Sequence, residues 1–271
     1  MAGAPRPTRR RLDLALVEAG LAPSREKAQA LVLAGRVLVE GRRVDKPGTA
    51  VPPGVALAVS DGDRLYASRG GLKLAPVLER LGIDPTGWRC LDVGASTGGF
   101  TDVLLRRGAA HVTAVDVGHG LLDAGLRADP RVLVVEDCNA RHLRAGEVAP
   151  PYDLATADLS FISLTLVLPA VLRLLRDEAR LLLLVKPQFE LSAPQVGRGG
   201  VVRDPELRAR AVLRVGRFLA DQGWGPLAAA ASPVAGPKGN REVFLFAARG
   251  PGLEAAAFDR LVAEEVRRDV I

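Results

Sequence analysis

The chain has 271 residues, of which 48% are hydrophobic and 25% charged, which is an ordinary globular balance and excludes global disorder. This length allows one large domain or two smaller ones. The two cysteines, Cys90 and Cys138, exclude a disulfide framework and a CxxC metal cage, as fits a reducing cytosol. Because the longest aliphatic run, residues 181–185, is too short to span a bilayer, we expect a cytoplasmic protein without stable membrane insertion. We also expect it to act as a monomer or weak dimer.

The net charge of +6 is concentrated at the start of the chain. Residues 1–60 carry ten Lys/Arg and five Asp/Glu, a net of +5, which leaves 27 basic and 26 acidic residues, or +1, for residues 61–271. Of the 37 basic residues 32 are arginines, which bind phosphate in a bidentate way that lysine does not match. A basic first segment before a nearly neutral remainder indicates a nucleic-acid partner.

The first 60 residues predict a small α+β domain. Apolar residues at helical spacing predict a helix over residues 11–19, and Ser24 is placed to cap a second helix that ends at Gly35. A strand over residues 36–40 follows, and prolines and glycines interrupt residues 46–59. The Asp-Gly turn that starts at residue 61 then predicts a domain over residues 1–60, a linker over 61–68 and a second domain over 69–271.

From residue 89 onward, predicted strands and helices alternate. The predicted strands are 90–94, 111–117, 132–136, 153–158, 179–185, 225–231 and 242–248. The predicted helices are 98–107, 163–175, 205–222 and 253–268. This alternation predicts an α/β fold with a seven-stranded, mostly parallel sheet that is covered by helices on both faces.

A glycine-rich motif over residues 91–100 joins the first of these strands to its helix. Glycines at such a turn let the backbone approach a ligand closely, and the helix N–H groups point towards it. Asp116 ends the next strand, where its carboxylate can accept both hydroxyls of a ribose. The spacing differs from the Gly-x-Gly-x-x-Gly of dinucleotide enzymes and favours S-adenosylmethionine. A nicotinamide enzyme and a turn without ligand remain the alternatives.

Two charged residues end later strands, where doubly wound sheets place their chemistry. Asp158 ends the fourth strand, but the residues after it do not form the Pro-Pro-aromatic pattern of enzymes that methylate exocyclic base nitrogens. Lys186 ends the aliphatic fifth strand, a costly position for a lysine unless it is paired. Lys73 before the first strand and Glu242 at the start of the last would individually be read as solvated charges.

Five segments together resemble the TlyA family of ribosomal-RNA 2′-O-methyltransferases, whose members are often named hemolysins. They are residues 68–74, 92–102, 157–163, 185–190 and 239–242. The resemblance covers nearly the whole chain in matching order. It implies an S4-like RNA-binding domain followed by an FtsJ-like domain with the Rossmann-like fold of class I S-adenosylmethionine-dependent methyltransferases.

The family also implies site residues. The implied catalytic residues are Lys73, Asp158, Lys186 and Glu242. The expected cofactor-binding residues are Asp92, Gly94, Ala95, Ser96, Thr97, Gly98, Gly99, Phe100, Asp116, Asp137 and Asp158, where Asp137 would bind the adenine amino group. The expected RNA-binding residues are Arg25, Arg36, Arg42, Arg43 and Arg69. No metal is expected, since the three histidines lack a ligand-like spacing.

In the implied reaction, S-adenosylmethionine methylates the ribose 2′-hydroxyl of a cytidine in the large ribosomal subunit, with the small subunit as a second target of longer members. Lys186 would bind the 2′-oxygen; the residues leave open whether it acts as a base or as a cation that stabilises the alkoxide. The alternatives are a membrane-active hemolysin, an RNA-binding protein without catalysis, and a small-molecule methyltransferase. The basic first segment argues against the last of these.

Overall fold

Two separate groups of strands are present in the computed structural model, which describes residues 9–60, 65–197, 199–236 and 238–268. Residues 1–8 of the predicted first domain and residues 61–64 of the predicted linker lie outside the described residues. The first group belongs to residues 10–59 and the second to residues 89–249. The strands therefore fall into a small and a large unit, while the predicted domain bounds stay a prediction.

The small unit is built from two short helices and five short strands. They are β1 (Arg10–Arg11), α1 (Leu12–Glu18), α2 (Arg25–Leu33), β2 (Val37–Val39), β3 (Arg42–Val44), β4 (Ala50–Val51) and β5 (Leu57–Val59). As predicted, Ser24 caps α2, because its side chain accepts a hydrogen bond from the Lys27 N–H. Leu12, Leu16 and Val32 are fully buried and form the core of this unit together with strand residues.

The large unit contains a seven-stranded sheet. Its strands are β6 (Arg89–Val93), β7 (His111–Val115), β8 (Val132–Val135), β9 (Tyr152–Ala157), β10 (Leu175–Val185), β11 (Trp224–Ala231) and β12 (Val243–Arg249). They lie in the order β11-β12-β10-β9-β6-β7-β8, and β12 runs antiparallel to the other six strands. The expected seven-stranded, mostly parallel sheet of a class I methyltransferase is confirmed.

Helices cover both faces of this sheet. They are α3 (Gly70–Arg80), α4 (Gly99–Arg106), α5 (Ala124–Ala128), α6 (Leu164–Leu172), α7 (Pro187–Glu190), α8 (Pro205–Asp221) and α9 (Ala255–Glu265). Two hydrophobic clusters, one on each face, bury the sheet. In the described part of the chain, no helix is both long and apolar enough to cross a membrane.

The strand order fixes where a site can form. From β6 the chain adds β7 and β8 on one side, then returns to place β9 and β10 on the other side of β6. The direction of winding thus reverses between β6 and β9. A crevice opens at the carboxyl ends of the strands at such a switch point, which is where open α/β sheets bind ligands.

Several elements differ from the sequence prediction, which did not include the short helices α5 and α7, and two of the differences have a clear physical reason. The predicted helix over residues 163–175 ends at Leu172, and β10 already begins at Leu175, where it pairs with Tyr152 before its register shifts near Arg180. The sequence did not indicate this pairing because residues 176–178 of β10 are charged and exposed and so break the apolar pattern. Helix α3 was not predicted, since its Gly-Gly start and internal Pro76 weaken the helical signal.

Candidate active site

The glycine-rich loop after β6 is held in a conformation that depends on glycine. Gly94 has φ +84°, and a Cβ there would lie 2.8 Å from the Asp158 carbonyl oxygen; Gly98 has φ +91°. Asp116 fixes the loop from β7, because its two carboxylate oxygens accept hydrogen bonds from the Ser96 N–H at 2.8 Å and the Gly118 N–H at 2.7 Å. The loop is therefore set by backbone geometry, and the ribose contact of Asp116 stays a prediction.

Asp92 lies beneath this loop. Its carboxylate is completely buried and accepts hydrogen bonds from the hydroxyls of Thr101 on α4, at 2.7 Å, and Thr156 on β9, at 3.1 Å. Burial raises the pKa of Asp92 to about 7, against the opposing effect of the two hydroxyls. In this arrangement Asp92 ties α4 to β6 and β9, and its predicted direct contact with the cofactor stays a prediction.

The four predicted catalytic residues lie together at the carboxyl ends of the strands. Lys73 on α3 donates a hydrogen bond to the Glu242 carboxylate at 2.7 Å, and its Nζ lies 3.8 Å from the Asp158 carboxylate. On the other side, the Lys186 Nζ lies 2.6 Å from Asp158 Oδ1. Asp158 thus stands between two ammonium groups, and the formal charges of the four side chains cancel.

Burial makes this charge balance necessary. Lys73 and Glu242 are only 4% and 1% exposed, and an unpaired charge in such a place is costly. Burial alone would lower the pKa of Lys73, but the carboxylates of Asp158 and Glu242 outweigh it and hold this pKa above its ordinary value. Conversely, burial would raise the pKa of Asp158, but Lys73 and Lys186 hold it below the ordinary value.

Ser160 is a site residue that the sequence analysis missed. The Lys186 amine donates a hydrogen bond to its hydroxyl at 2.9 Å. Asp158 Oδ1 is buried, and among the described residues no group is aligned to donate a hydrogen bond to it, although Lys186 is in ion-pair contact. The serine therefore shares with Asp158 the task of directing the Lys186 amine. Only the Asp158-Leu-Ser motif could have indicated it.

Phe161, next along the chain, was quoted in the sequence analysis only as part of a motif. Its side chain is 91% exposed, its φ is +66°, and its ring contacts Phe189 of α7 with centroids 5.2 Å apart. A phenylalanine with a positive φ is uncommon, and such strain is typical of functional sites. It places an aromatic surface beside the four charged residues.

A cavity of about 190 Å³ joins the glycine-rich loop to the lysines. Gly94, Ala95 and Thr97 line it on one side, and Lys186 and Asp158 line it on the other. Leu33 of α2 also lines it, so the small unit contributes to this wall. The residues fit S-adenosylmethionine, because a loop backbone that only glycine permits lets the cofactor approach closely, and Asp158 lines the same cavity.

The remaining predicted cofactor residues are distributed around this loop. Ser96, Gly99 and Phe100 line the cavity as well. Asp137 has φ +55° and an exposed carboxylate that lies 2.8 Å from His119 Nδ1, so its adenine contact stays a prediction. Val117, which the sequence analysis passed over, is 72% exposed directly after Asp116 and offers an apolar surface there.

The five arginines predicted to bind RNA have different surroundings. Arg42 and Arg43 are exposed on β3. Arg25 contacts the buried Asp13 at 3.1 Å, and the Arg36 side chain donates a hydrogen bond to the Ser60 carbonyl oxygen at 3.2 Å. Arg69 forms an ion pair with Asp45, which connects the start of α3 to the small unit. RNA binding by all five stays a prediction.

Within the described residues, no group of three or more His, Cys, Asp or Glu side chains is arranged to hold a metal ion.

Two family models match the chain and divide it as its sheets do. The S4 domain model matches residues 10–57, and the FtsJ-like methyltransferase model matches residues 66–249. The second match begins within the predicted linker. The structure agrees with this start, since the Ala67 N–H donates a hydrogen bond to Asp102 of α4 at 2.7 Å.

Curated relatives and a solved structure match over nearly the full length. The chain is 52% identical to the 16S/23S rRNA (cytidine-2′-O)-methyltransferase TlyA of Mycobacterium tuberculosis over 88% of this chain and 89% of that protein. It is 37% identical to Hemolysin A of Brachyspira hyodysenteriae over 86% and 97% of the two chains. A solved hemolysin-named protein from Streptococcus thermophilus is 36% identical, covers 95% of this chain and 96% of its own, and superimposes with a TM-score of 0.72. The chain therefore belongs to the TlyA family, in which an S4 domain precedes an FtsJ-like methyltransferase domain.

Proposed function

We propose that this protein transfers a methyl group from S-adenosylmethionine to the ribose 2′-hydroxyl of a cytidine in ribosomal RNA. The large subunit is its first target and the small subunit its second. One observation carries the proposal: Lys73, Asp158, Lys186 and Glu242 meet in one buried cluster whose cavity is shared with the glycine-rich loop. The cytoplasm, where ribosomes are assembled, is the place where we expect it to act.

The chemistry requires an oxygen nucleophile to be aligned and its negative charge to be stabilised. Bound S-adenosylmethionine supplies an electrophilic methyl group, and a ribose 2′-hydroxyl is a weak nucleophile until its proton is withdrawn. Lys73, Asp158 and Lys186 all line the cavity, and Lys186 is the lysine that is directed by both Asp158 and Ser160. Its contact with the Asp158 carboxylate fits a charged ammonium, which would hydrogen-bond the 2′-oxygen and stabilise its developing negative charge. As the 2′-oxygen takes the methyl group, the methyl–sulfur bond breaks, S-adenosylhomocysteine leaves, and the hydroxyl proton passes to solvent water.

The other three charged residues would keep that amine in place. Asp158 lies between the two lysines and neutralises charge on both sides. Glu242 holds Lys73 by a buried hydrogen bond, so Lys73 is itself a fixed second cation near Asp158. The arrangement is pre-organised, which is how electrostatic stabilisation acts without reorganisation during the reaction.

Phe161 supports a nucleotide substrate rather than a small molecule. An exposed ring beside the catalytic cluster offers a stacking surface for a base that has been turned out of its own stack. The basic S4 domain, with Arg42 and Arg43 exposed on β3, would supply contacts to phosphates.

The experiment is mass-spectrometric mapping of ribose methylation in ribosomal RNA from a strain that lacks the gene. The strain is complemented with the wild-type protein or with the Lys186→Ala variant. The proposal expects at least one cytidine 2′-O-methyl group that disappears on deletion, returns with the wild type and stays absent with the variant.

Two results would overturn the proposal in different ways. If deletion changes no ribose methylation, the protein is not the proposed enzyme, and an S-adenosylmethionine-binding RNA-binding protein without catalysis becomes the better description. If the variant restores methylation to the wild-type level, the enzyme is correct but the catalytic cluster is not.

A further inference from the structure

An open groove of about 800 Å³ lies between α6, α7 and α8, outside the cluster described above. Its walls include Leu166 at the start of α6, Leu191 and Gln195 after α7, and Leu213 and Phe218 on α8. Leu166 is 48% exposed there. The groove therefore offers apolar surface that nothing in the described part of the chain covers.

The charged side chains of this groove are mostly positive. Three exposed arginines of α8 line the groove, namely Arg210, Arg214 and Arg217. Two acidic residues line it as well: Asp221 at the end of α8 and Glu190 at the end of α7. Spacings of four and three residues place the arginines on one face of the helix. Arg217 lies 3.6 Å from Asp259, a contact between exposed groups that is worth little.

Glu190 is turned into the protein and offsets the charge of these arginines only in part, through Arg214. It is 2% exposed, and its carboxylate accepts hydrogen bonds from the Ser163 hydroxyl and the Leu164 N–H. Burial raises the pKa of Glu190 above its ordinary value. The groove thus combines apolar side chains with a row of arginines, the combination that binds single-stranded nucleic acid.

The groove is connected to the catalytic cluster through α7. Lys186 directly precedes this one-turn helix, and Glu190 ends it. The Arg214 side chain donates a hydrogen bond to the Glu190 carbonyl oxygen, which fixes α7 on α8. On the way from the cluster to the groove, Phe189 of α7 carries the ring that contacts Phe161.

We propose that this groove binds the unpaired RNA strand next to the methylated nucleotide, with Arg210, Arg214 and Arg217 on its phosphates and Leu166 and Phe218 against a base. The inference rests on the proposed function, because it assigns the path of the RNA beyond Phe161. It adds an RNA-binding surface on the methyltransferase domain that is separate from the S4 domain.

The test replaces Arg210 and Arg217 together by glutamine in the full-length protein. Arg214 is left intact because it holds α7. The matched control is Arg173→Gln with Arg267→Gln, which removes two exposed arginines outside the groove. For each protein, the affinity for a ribosomal-RNA fragment containing the target is measured as a function of salt, together with the affinity for S-adenosylmethionine.

Two lost phosphate contacts should make the slope of log K against log[salt] shallower by about 1.4, since each single-strand contact contributes about 0.7. We expect the RNA affinity of the Arg210/Arg217 variant to fall about tenfold at physiological salt, while the cofactor affinity equals that of the wild type. The control should keep the wild-type slope.

Equal salt slopes for the groove variant and the control would overturn the proposal. A second measurement keeps the proposal testable if the arginine variant does not fold. Gln195→Cys, carrying a photoactivatable group, should cross-link to nucleotides that flank the target. Cross-links confined to other regions of the RNA or to ribosomal protein would also overturn the proposal. If the wild type neither binds nor methylates ribosomal RNA, the proposed function itself has failed; if only the groove results are negative, it stands.

Discussion

The two domains hold their positive charge in opposite ways. In the S4 domain, Arg42 and Arg43 project from a short strand into solvent. In the methyltransferase domain, Lys73 and Lys186 are buried, and each lies within 4 Å of a carboxylate. In these two places the arginines face outward and the lysines are fitted into the interior, although elsewhere Lys46 is exposed and Arg208 is buried.

This difference predicts different consequences of substitution. An exposed arginine keeps most of its hydration, contributes little to stability, and is suited to a phosphate partner. A buried lysine is fixed by its acids, so its removal changes either the chemistry or the balance of charge in the interior. Variants of the two classes should accordingly separate catalysis and stability from RNA affinity.

The largest effect is expected for Lys186→Ala. Removing the amine that would stabilise the 2′-oxygen should lower kcat at least about a thousandfold, within the range of electrostatic and general-base contributions. Binding of S-adenosylmethionine should be retained, as measured by calorimetry. Lys46→Ala, at an exposed position in the S4 domain, is the control and should have wild-type kcat. Undiminished transfer by the Lys186 variant would remove this residue from the mechanism.

Asp92 is completely buried and the Asp158 side chain is 20% exposed, and only Asp158 has lysine neighbours. The pKa of Asp92 is raised to about 7, so the folded state binds more protons than the unfolded state between pH 4 and 7. Its contribution therefore decreases the free energy of unfolding as pH rises through that range, by about 4 kcal/mol at most. This contribution is measured by urea unfolding of the wild type and of Asp92→Asn at pH 5 and pH 8. The free energy of unfolding of the variant, relative to that of the wild type, should be higher at pH 8 than at pH 5. An unchanged difference would contradict the raised pKa.

Lys73 is the less exposed of the two buried lysines, and its replacement should also lower the free energy of unfolding. Lys73→Met leaves Glu242 buried without its hydrogen-bond donor, which should cost about 3 kcal/mol in the free energy of unfolding. A second change, Glu242→Gln, should recover part of that loss because it removes the unpaired charge. Urea denaturation of the single and double variants tests this. A double variant that is less stable than Lys73→Met would show that the buried charge is not the cause.

Much of the fold was predictable because most strands of the large sheet carry a strong apolar signal. Residues 181–185 of β10 and residues 90–93 of β6 are almost completely buried, and both segments read clearly as strands. Helix α3 was not predictable in the same way, since Pro76 and the paired glycines at its start suppress the helical signal that its apolar face provides. Tertiary packing against α4 overrides that local preference.

The site was predictable in composition but not in geometry. The family resemblance named Lys73 and Glu242, which are 169 residues apart in the chain, but only the fold shows that they form one hydrogen bond. Ser160 was missed because a serine in a loop has no signal of its own until Lys186 is seen to donate to it. Likewise the groove beside α8 requires the packing of three helices, which no local pattern specifies.

Ser160 tests whether the direction of the buried amine matters as well as its charge. Ser160→Ala removes one of the two groups that direct Lys186, so kcat should fall about tenfold while KM for both substrates stays near the wild-type value. Ser160→Thr keeps the hydroxyl and should recover most of the rate. A change in KM alone, or no rescue by threonine, would assign the serine a different role.

The smallest effect is expected at the exposed arginines, and it should appear in a different quantity. Replacing Arg42 and Arg43 by glutamine removes two charges from β3 and should weaken RNA binding about fivefold at physiological salt, with a shallower salt dependence. Stability and kcat at saturating RNA should equal those of the wild type, because neither arginine has a role in the interior. The double variant of Arg173 and Arg267 again provides the control of equal charge. If the Arg42/Arg43 variant loses kcat at saturating RNA, the S4 domain takes part in the chemical step, and the separation of arginine for binding from lysine for catalysis no longer holds.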